Sequence, residues 1–218
     1  MDNAMSLELF LHPLSSYTHK VLIALYENDI PFTAKRLDDP AVAREWEQLS
    51  PLRRFPILRD TERGQVIPES TIIIEYLQTY FPGKVKLIPD DPDLAWQVRL
   101  RDRFCDNYLH TPMQKLPFDL RRPEADRDAY GVQEAKTMFV TALGSVEAEM
   151  AGRTWAMGNE FTMADCSAAP ALFYGNRFFG PFRETHPIAL AYLDRLMARP
   201  SYARALEEAK PFMHMLPK

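Results

Sequence analysis

The chain has 218 residues, of which 46% are hydrophobic and 26% are charged, an ordinary composition for a globular protein with one large or two small domains. Its net charge of −4 and its isoelectric point near 5.8 argue against nucleic acid as the main partner. The first residues, MDNAMSLELFL, contain no basic segment and no sustained apolar stretch, so we expect no signal peptide and no membrane span. Two cysteines, Cys105 and Cys166, are too few for a disulfide framework, and a reducing, cytoplasmic setting is expected.

The first elements in chain order are predicted to be a strand, a helix and a second strand. Residues 7–11 alternate in the manner of a strand, residues 12–17 form a turn, and a helical pattern covers residues 18–28. Residues 31–37 form a second predicted strand, at a spacing that suits a parallel crossover through the helix.

A β-hairpin is predicted after Phe55. The runs ILR and QVI flank the turn sequence DTERG, which is typical of two short antiparallel strands. Pro56 has no backbone N–H, so it must open its strand or lie at a sheet edge. This position leaves the backbone N–H and C=O of Phe55 available to a ligand.

A helix that continues to Tyr80 is predicted directly after the hairpin, with Ser70 as its N-cap. The N-terminus of a helix offers unpaired N–H groups and the positive end of a dipole, which suits a carboxylate. Glu69 adds an acceptor for an ammonium group. The pair is interpreted as a clamp for the α-carboxylate and α-amine of one amino acid; an ordinary capped helix with a solvated glutamate explains the same residues.

The elements up to residue 80 together describe a thioredoxin-like domain, predicted for residues 1–83. Residues 84–94 are rich in proline and acids and are predicted to be a linker. Beyond them the strand signals stop and apolar residues recur at helical spacing, so residues 95–218 are predicted to be an all-helical domain. Within that domain, Thr162 and Asp165 have the spacing of a capping box, which we assign to folding.

Four stretches in this order resemble the serine-type branch of the cytosolic glutathione transferases: HPLSSYTHKVLIALYENDIPF, SPLRRFPIL, PESTIIIEYL and NEFTMAD. The resemblance covers essentially the whole chain. It implies an α/β domain of thioredoxin-like fold followed by an all-α domain, with glutathione as co-substrate and a homodimer as the assembly. It also implies a hydrophobic electrophile as the second substrate.

The first hundred residues contain no cysteine, so a thiolate at the turn before the first helix has to come from a ligand. The resemblance implies that Ser15 donates a hydrogen bond to the glutathione sulfur. Ser16 is the second candidate for this catalytic role and Tyr17 a weaker third. Serines in turns are also common as structural and capping residues.

The stretch before Pro56 departs from the family pattern. The resemblance places Arg54 where the family usually has a lysine, a position from which it would hold the glycine carboxylate of glutathione. Arg53 replaces a glycine, and Phe55 replaces a small aliphatic residue. The contact expected from Phe55 is through its backbone, which survives any side chain.

The acceptor pocket is the least defined part of the prediction. An apolar and aromatic segment at residues 108–118 is interrupted by prolines, and the resemblance places it opposite the first domain. Residues 212–215 are a candidate lid, and His110 and His214 have no ligand partners at metal-binding spacing. Three residues are candidates for lining the pocket, although core packing explains each of them equally well: Tyr108, Met113 and Phe118.

The predicted function is addition of the glutathione thiolate to an electrophilic small molecule. Reduction of disulfides by glutathione and reversible addition that isomerises a double bond are alternatives within the enzymes. An interaction module of the same fold without catalysis is the alternative of another class; retention of Ser15 together with Glu69 and Ser70 favours an enzyme.

Overall fold

The computed structural model describes residues 6–217 and contains a four-stranded mixed sheet followed by a helical bundle. The strand order is β2-β1-β3-β4, with β1 and β2 parallel and the other pairs antiparallel. This arrangement confirms the predicted thioredoxin-like α/β architecture. The elements of this part are β1 (Leu7–Leu11), α1 (Ser16–Glu27), β2 (Thr33–Arg36), α2 (Pro40–Leu49), β3 (Ile57–Asp60), β4 (Gln65–Pro68) and α3 (Ser70–Tyr80).

The sheet is held by a buried central strand. Leu7, Leu9 and Leu11 of β1 are buried on one face and Phe10 on the other, as expected for a central strand covered on both faces. Glu8 is the polar exception, and it accepts a hydrogen bond from Arg59 of the neighbouring strand at 2.6 Å. The predicted hairpin at Pro56 is confirmed, because β3 and β4 pair in antiparallel register around the turn.

The rest of the chain is helical, as predicted. A π-helical turn (Cys105–His110) joins the helices Pro92–Phe104 and Thr111–Asp119 without a break. The expectation that prolines interrupt this segment is therefore wrong: Pro112 lies in the first turn of the helix Thr111–Asp119, directly after the wider π turn, and Pro117 lies inside that helix. The helices are α4 (Pro92–Phe104), α5 (Thr111–Asp119), α6 (Ala129–Glu149), α7 (Met163–Phe178), α8 (Pro187–Ala198) and α9 (Pro200–Ala209).

The two parts of the fold share α1 as a common wall. α1 packs against α3 on the sheet side and against α7 and α9 of the bundle. Its residues from Thr18 to Leu25 are all buried, so the helix has no solvent face along this stretch. Its N-terminus, which carries Ser15, therefore lies at the seam between the parts.

Local hydrogen bonds secure the start of α7 and the segment that connects the two parts. The predicted capping box is confirmed, since the Asp165 carboxylate accepts from the Thr162 backbone N–H at 2.9 Å. In the connection, Asn28 bonds both backbone groups of Val85, at 2.7 and 3.0 Å. Within residues 6–217, no helix has the length and apolar character needed to cross a bilayer.

Candidate active site

The register of the sheet brings three predicted site segments to one edge. Phe10 of β1 lies opposite Ile57 of β3, and Ile57 lies opposite Pro68 of β4. The residues that follow β1, precede β3 and follow β4 therefore meet. These residues are the turn at Ser15, the pair Phe55 and Pro56, and the pair Glu69 and Ser70.

Ser15 is the N-cap residue of α1 and is half-buried. Its Oγ accepts a hydrogen bond from the backbone N–H of Thr18 at 3.2 Å. Because this cap satisfies one of the first N–H groups, the helix begins at Ser16, two residues before the predicted start. A hydroxyl keeps its donor hydrogen while its oxygen accepts, so Ser15 can still donate to an anion.

Ser16, the second candidate donor, faces the helical bundle. Its residue is only 5% exposed. The side-chain amide of Gln114 on α5 donates to its Oγ at 3.5 Å. Ser15 is thus the more accessible of the two hydroxyls.

Tyr17, the third candidate, packs against the ring of His110 with 4.6 Å between the ring centroids. Burial, together with the nearby Asp106 carboxylate, raises the pKa of Tyr17 to about 12. Its phenol therefore stays protonated at neutral pH and cannot act there as a base.

The loop before β3 presents an open stretch of backbone. The Phe55–Pro56 peptide bond is cis. The C=O of Arg54 is held by hydrogen bonds from Trp46 Nε1 at 2.9 Å and Ser50 Oγ at 3.0 Å. Across residues 6–217, no group pairs with the backbone N–H or C=O of Phe55, so both can serve a ligand. The Arg54 side chain is exposed beside them.

The turn into α3 differs from the prediction by one residue. Glu69, and not Ser70, occupies the N-cap position, and Ser70 is the first residue of the helix. β4 runs through Pro68, which leaves a single residue to reverse the chain, and Glu69 does so in the left-handed region with φ 68°. This conformation is uncommon for a residue with a side chain and is concentrated at functional sites.

Glu69 is exposed and Ser70 is buried. The first N–H groups of α3, including that of Ser70, have no partner within the helix and carry the positive end of its dipole. A carboxylate at the backbone of Ser70 and an ammonium at the Glu69 carboxylate are both favoured by this arrangement.

Of the three residues predicted to line the acceptor pocket, Met113 does not reach the surface. It is 2% exposed and belongs to the hydrophobic core. Tyr108 is 48% exposed but packs on Phe104, at 5.5 Å, in a groove of about 560 Å³ between α4 and α6 that contains none of the other predicted site residues. Phe118 is 49% exposed at the end of α5.

An aromatic rim of His12, Phe55 and Phe212 lies beside the turn before α1. Phe55 and residues 212–215 were predicted to lie at the site, whereas His12 was not. The His12 ring centroid lies 6.5 Å from that of Phe55 and 5.9 Å from that of Phe212. Burial lowers the pKa of His12, and the Asp38 carboxylate partly opposes this effect. The C-terminal 3-10 turn (Lys210–Met215) therefore reaches the site through Phe212. The signal available for His12 was its position directly after the first strand.

A buried ionic cluster lies behind α3 and was also missed. Lys20 Nζ contacts Asp102 at 2.6 Å and Asp106 at 3.0 Å, and donates to Thr71 Oγ1 at 2.8 Å. Burial alone would raise the pKa of Asp102, but Lys20 and the hydroxyls of Ser167 and Thr71 outweigh it and hold that pKa below its ordinary value. Through this cluster Thr71, the residue after Ser70, contacts Lys20 on α1 and Asp102 on α4.

The cysteine thiols lie away from this chemistry. Cys105 and Cys166 are buried, and burial raises the pKa of each thiol well above its ordinary value. A nucleophilic thiolate at the Ser15 turn would therefore belong to a ligand. Across residues 6–217, no group of three or more His, Cys, Asp or Glu side chains is placed to hold a metal ion.

Comparison with known proteins matches both parts of the chain. Residues 9–85 match the model of the glutathione S-transferase N-terminal domain, and residues 109–200 match that of the C-terminal domain. A stringent starvation protein A homolog from Coxiella burnetii is 30% identical over 166 residues, which are 76% of this chain and 74% of the relative.

Two further similarities are informative about chemistry. A probable maleylacetoacetate isomerase from Caenorhabditis elegans is 28% identical over 174 residues, covering 78% of this chain and 79% of the relative. The crystal structure of a glutathione S-transferase from Methylobacterium radiotolerans, in complex with glutathione sulfonate, superimposes with a TM-score of 0.79 and 28% identity. That alignment covers 91% of this chain and 93% of the other.

Proposed function

The chain belongs to the glutathione transferase family and is a glutathione transferase, and from this premise we propose how its site performs the reaction. Glutathione binds along the sheet edge with its sulfur at Ser15, and the thiolate attacks an electrophilic small molecule held between the two parts of the fold. The observation that carries this proposal is the placement of the Ser15 hydroxyl at the N-terminus of α1, at the edge where Phe55 and Glu69 also lie.

Ser15 stabilises the thiolate and does not remove its proton, because a serine hydroxyl is too weakly acidic and basic at neutral pH. Its Oγ–H donates a charge-assisted hydrogen bond to the sulfur. The N-terminus of α1 adds the positive end of its dipole. Lowering a thiol pKa by two units needs about 2.7 kcal/mol, which is within reach of one such bond and a helix terminus together.

The remaining contacts fix the tripeptide. The backbone N–H and C=O of Phe55 pair with the cysteinyl backbone of glutathione. The γ-glutamyl carboxylate is held by the backbone N–H of Ser70, and its ammonium by the carboxylate of Glu69. Arg54 pairs with the glycine carboxylate, bidentately where the geometry of both groups allows.

The acceptor is a hydrophobic electrophile that enters beside the rim formed by His12, Phe55 and Phe212. Phe118 remains a candidate for its far wall. Met113 is excluded by its burial, and Tyr108 by its place in the other groove. Holding both reactants in one cleft also accelerates the reaction, because the two groups no longer have to meet by diffusion. This effect acts in addition to the increased thiolate fraction.

Glutathione-dependent isomerisation of a double bond is the second candidate reaction, favoured by the similarity to the Caenorhabditis elegans protein. It uses the same thiolate and is distinguished by the absence of net glutathione consumption. A module of the same fold without catalysis is the alternative of another class. This alternative predicts either bound glutathione whose thiol keeps its ordinary pKa or no binding of glutathione.

We assign the protein to the cytoplasm and to a homodimer. The support for the dimer is a set of apolar side chains that remain exposed on α4, the π turn and α6, of which Tyr108, Tyr130 and Met138 line the groove. Burying such a set against a second copy removes apolar area from water. The exposed apolar residues of this set are Trp96, Leu100, Tyr108, Tyr130 and Met138.

The test is a titration of the thiolate absorbance of bound glutathione against pH, with free glutathione as the reference. We expect the wild-type protein to lower the thiol pKa by about one unit or more. Ser15→Ala should restore most of the ordinary pKa and reduce turnover sharply with little change in glutathione affinity, whereas Ser16→Ala, the matched control, should change neither. Binding without a pKa shift in the wild type would overturn the transferase mechanism, and equal effects of both variants would remove Ser15 from its role.

A further inference from the structure

His19 connects the bundle to the turn that carries Ser15. It lies one helical turn beyond Ser15, and its residue is fully buried. Its Nε2 lies 2.7 Å from the carbonyl oxygen of Pro13, two residues before Ser15. A carbonyl oxygen only accepts, so Nε2 carries the hydrogen and donates it.

Other hydrogen bonds also hold the turn. The N–H of Ser15 donates to the C=O of His12 at 3.0 Å, and the N–H of His19 donates to the C=O of Ser15 at 3.0 Å. The N–H of Leu14 donates to His12 Nδ1 at 3.2 Å. Among residues 6–217, only the His19 ring donates a hydrogen bond to the Pro13 carbonyl.

The His19 ring is itself positioned by the bundle. Its centroid lies 5.8 Å from that of Tyr174 on α7 and 5.9 Å from that of Tyr202 on α9. Both tyrosines are buried, with 2% and 1% of their surface exposed. Close packing on two sides leaves the ring little freedom to rotate away from Pro13.

We propose that His19 is a positioning residue that fixes the Pro13 peptide plane, and through it the direction of the Ser15 hydroxyl, so that packing of α7 and α9 sets the geometry at the glutathione sulfur. This inference rests on the proposed role of Ser15. It assigns to the second part of the fold a task in thiolate stabilisation, besides holding the acceptor.

A direct role for His19 as a proton acceptor does not fit the same observations. The ring is fully buried, and burial lowers its pKa to about 4, so it stays neutral at the pH at which a thiol is activated. Its Nε2 already has a backbone partner. The role left for the His19 ring is its hydrogen bond to Pro13, which acts on Ser15 by fixing the conformation of the turn.

The experiment compares His19→Met with His19→Gln. Methionine fills a similar volume without a donor, whereas the glutamine amide can still donate to the Pro13 carbonyl. We expect His19→Met to return the bound thiol pKa towards that of free glutathione and to lower kcat by about tenfold or more, with glutathione affinity within about twofold of wild type. His19→Gln should recover most of both losses.

The outcomes separate the two proposals. If the wild type shows a lowered thiol pKa and His19→Met keeps it, His19 has no positioning role, although the Ser15 mechanism stands. If both variants lose it equally, the shape of the ring and not its hydrogen bond matters, which also overturns the inference. If wild-type protein shows no shift, the Ser15 mechanism fails and the inference with it.

A measurement on the wild-type protein covers the case in which His19→Met does not fold. The imidazole 15N shifts should report the Nε2–H tautomer, with a slowly exchanging, downfield-shifted ring proton. A rapidly exchanging ring proton, or the Nδ1–H tautomer, would contradict the hydrogen bond to Pro13.

Discussion

Lys20 of α1 and Asp102 of α4 form an ion pair of 2.6 Å in which both side chains are completely buried. The pair crosses from the sheet domain to the bundle. A buried pair is stabilised by mutual attraction only while both partners remain, because a single charge left in such surroundings is strongly unfavourable.

Replacing Lys20 with methionine should therefore lower the free energy of unfolding by about 3–5 kcal/mol, measured by urea denaturation. The matched control is Lys84→Met, which removes the exposed pair with Asp29 and should change stability far less. Equal effects of the two substitutions would mean that the Lys20 cluster contributes no more than a surface pair.

Glu69→Gln should weaken glutathione binding by roughly tenfold to a hundredfold, because a charged hydrogen bond to the ligand ammonium is lost. A glutathione analogue without the α-amine should bind wild type and variant alike, as measured by calorimetry. Glu62→Gln, in the exposed turn between β3 and β4, is the control and should bind as wild type does. Discrimination against the analogue that persists in Glu69→Gln would place the ammonium elsewhere.

The stability of the fold should fall as the solution is acidified, in part through His19. Burial lowers the pKa of this ring from 6.5 to about 4 in the folded chain, so between these values the unfolded chain binds more protons than the folded one. The contribution of His19 to the free energy of unfolding is complete above pH 6.5 and is lost as the pH falls towards 4. The total loss is about 3 kcal/mol.

Comparing wild type with His19→Gln at several pH values isolates this contribution from that of the carboxylates and of His110. Burial lowers the pKa of His110 as well, but the wild type and His19→Gln both contain that residue, so its effect cancels in the comparison. Parallel stability curves between pH 4 and 6.5 would show that His19 does not titrate in the expected way.

Met138→Glu should convert the proposed homodimer to a monomer at micromolar concentration, because it places a charge in the apolar groove on α6. Analytical ultracentrifugation measures the result. Ile188→Glu, at an exposed apolar position on α8, is the control and should leave the mass unchanged. A wild-type protein that sediments as a monomer would contradict the assembly itself.

Elements with local signals were predictable from the sequence. The hairpin at Pro56, the helix to Tyr80 and the capping box at Thr162 each depend on residues within a few positions of one another, so the pattern and the structure coincide. The N-cap at Glu69 was misassigned because the left-handed conformation follows from the end of β4, and the sequence alone does not show where that strand ends.

Features that depend on contacts across the chain were not predictable in the same way. Lys20 and Asp102 are 82 positions apart, and neither residue is unusual in its own helix. Met113 satisfies the criteria for a core residue and for a pocket residue equally, because apolar spacing shows which face a residue occupies but not what covers that face. The burial of the Met113 side chain decides between them.

The sharing of α1 by both parts of the fold has a consequence for cooperativity. Separated from α7 and α9, the sheet domain would leave the Lys20 ammonium without its two carboxylates and the His19 ring without its covering tyrosines. The sheet domain should therefore not reach a stable state while the bundle is unfolded. The chain should melt in one transition, and a fragment cut in the connecting segment should remain largely unfolded.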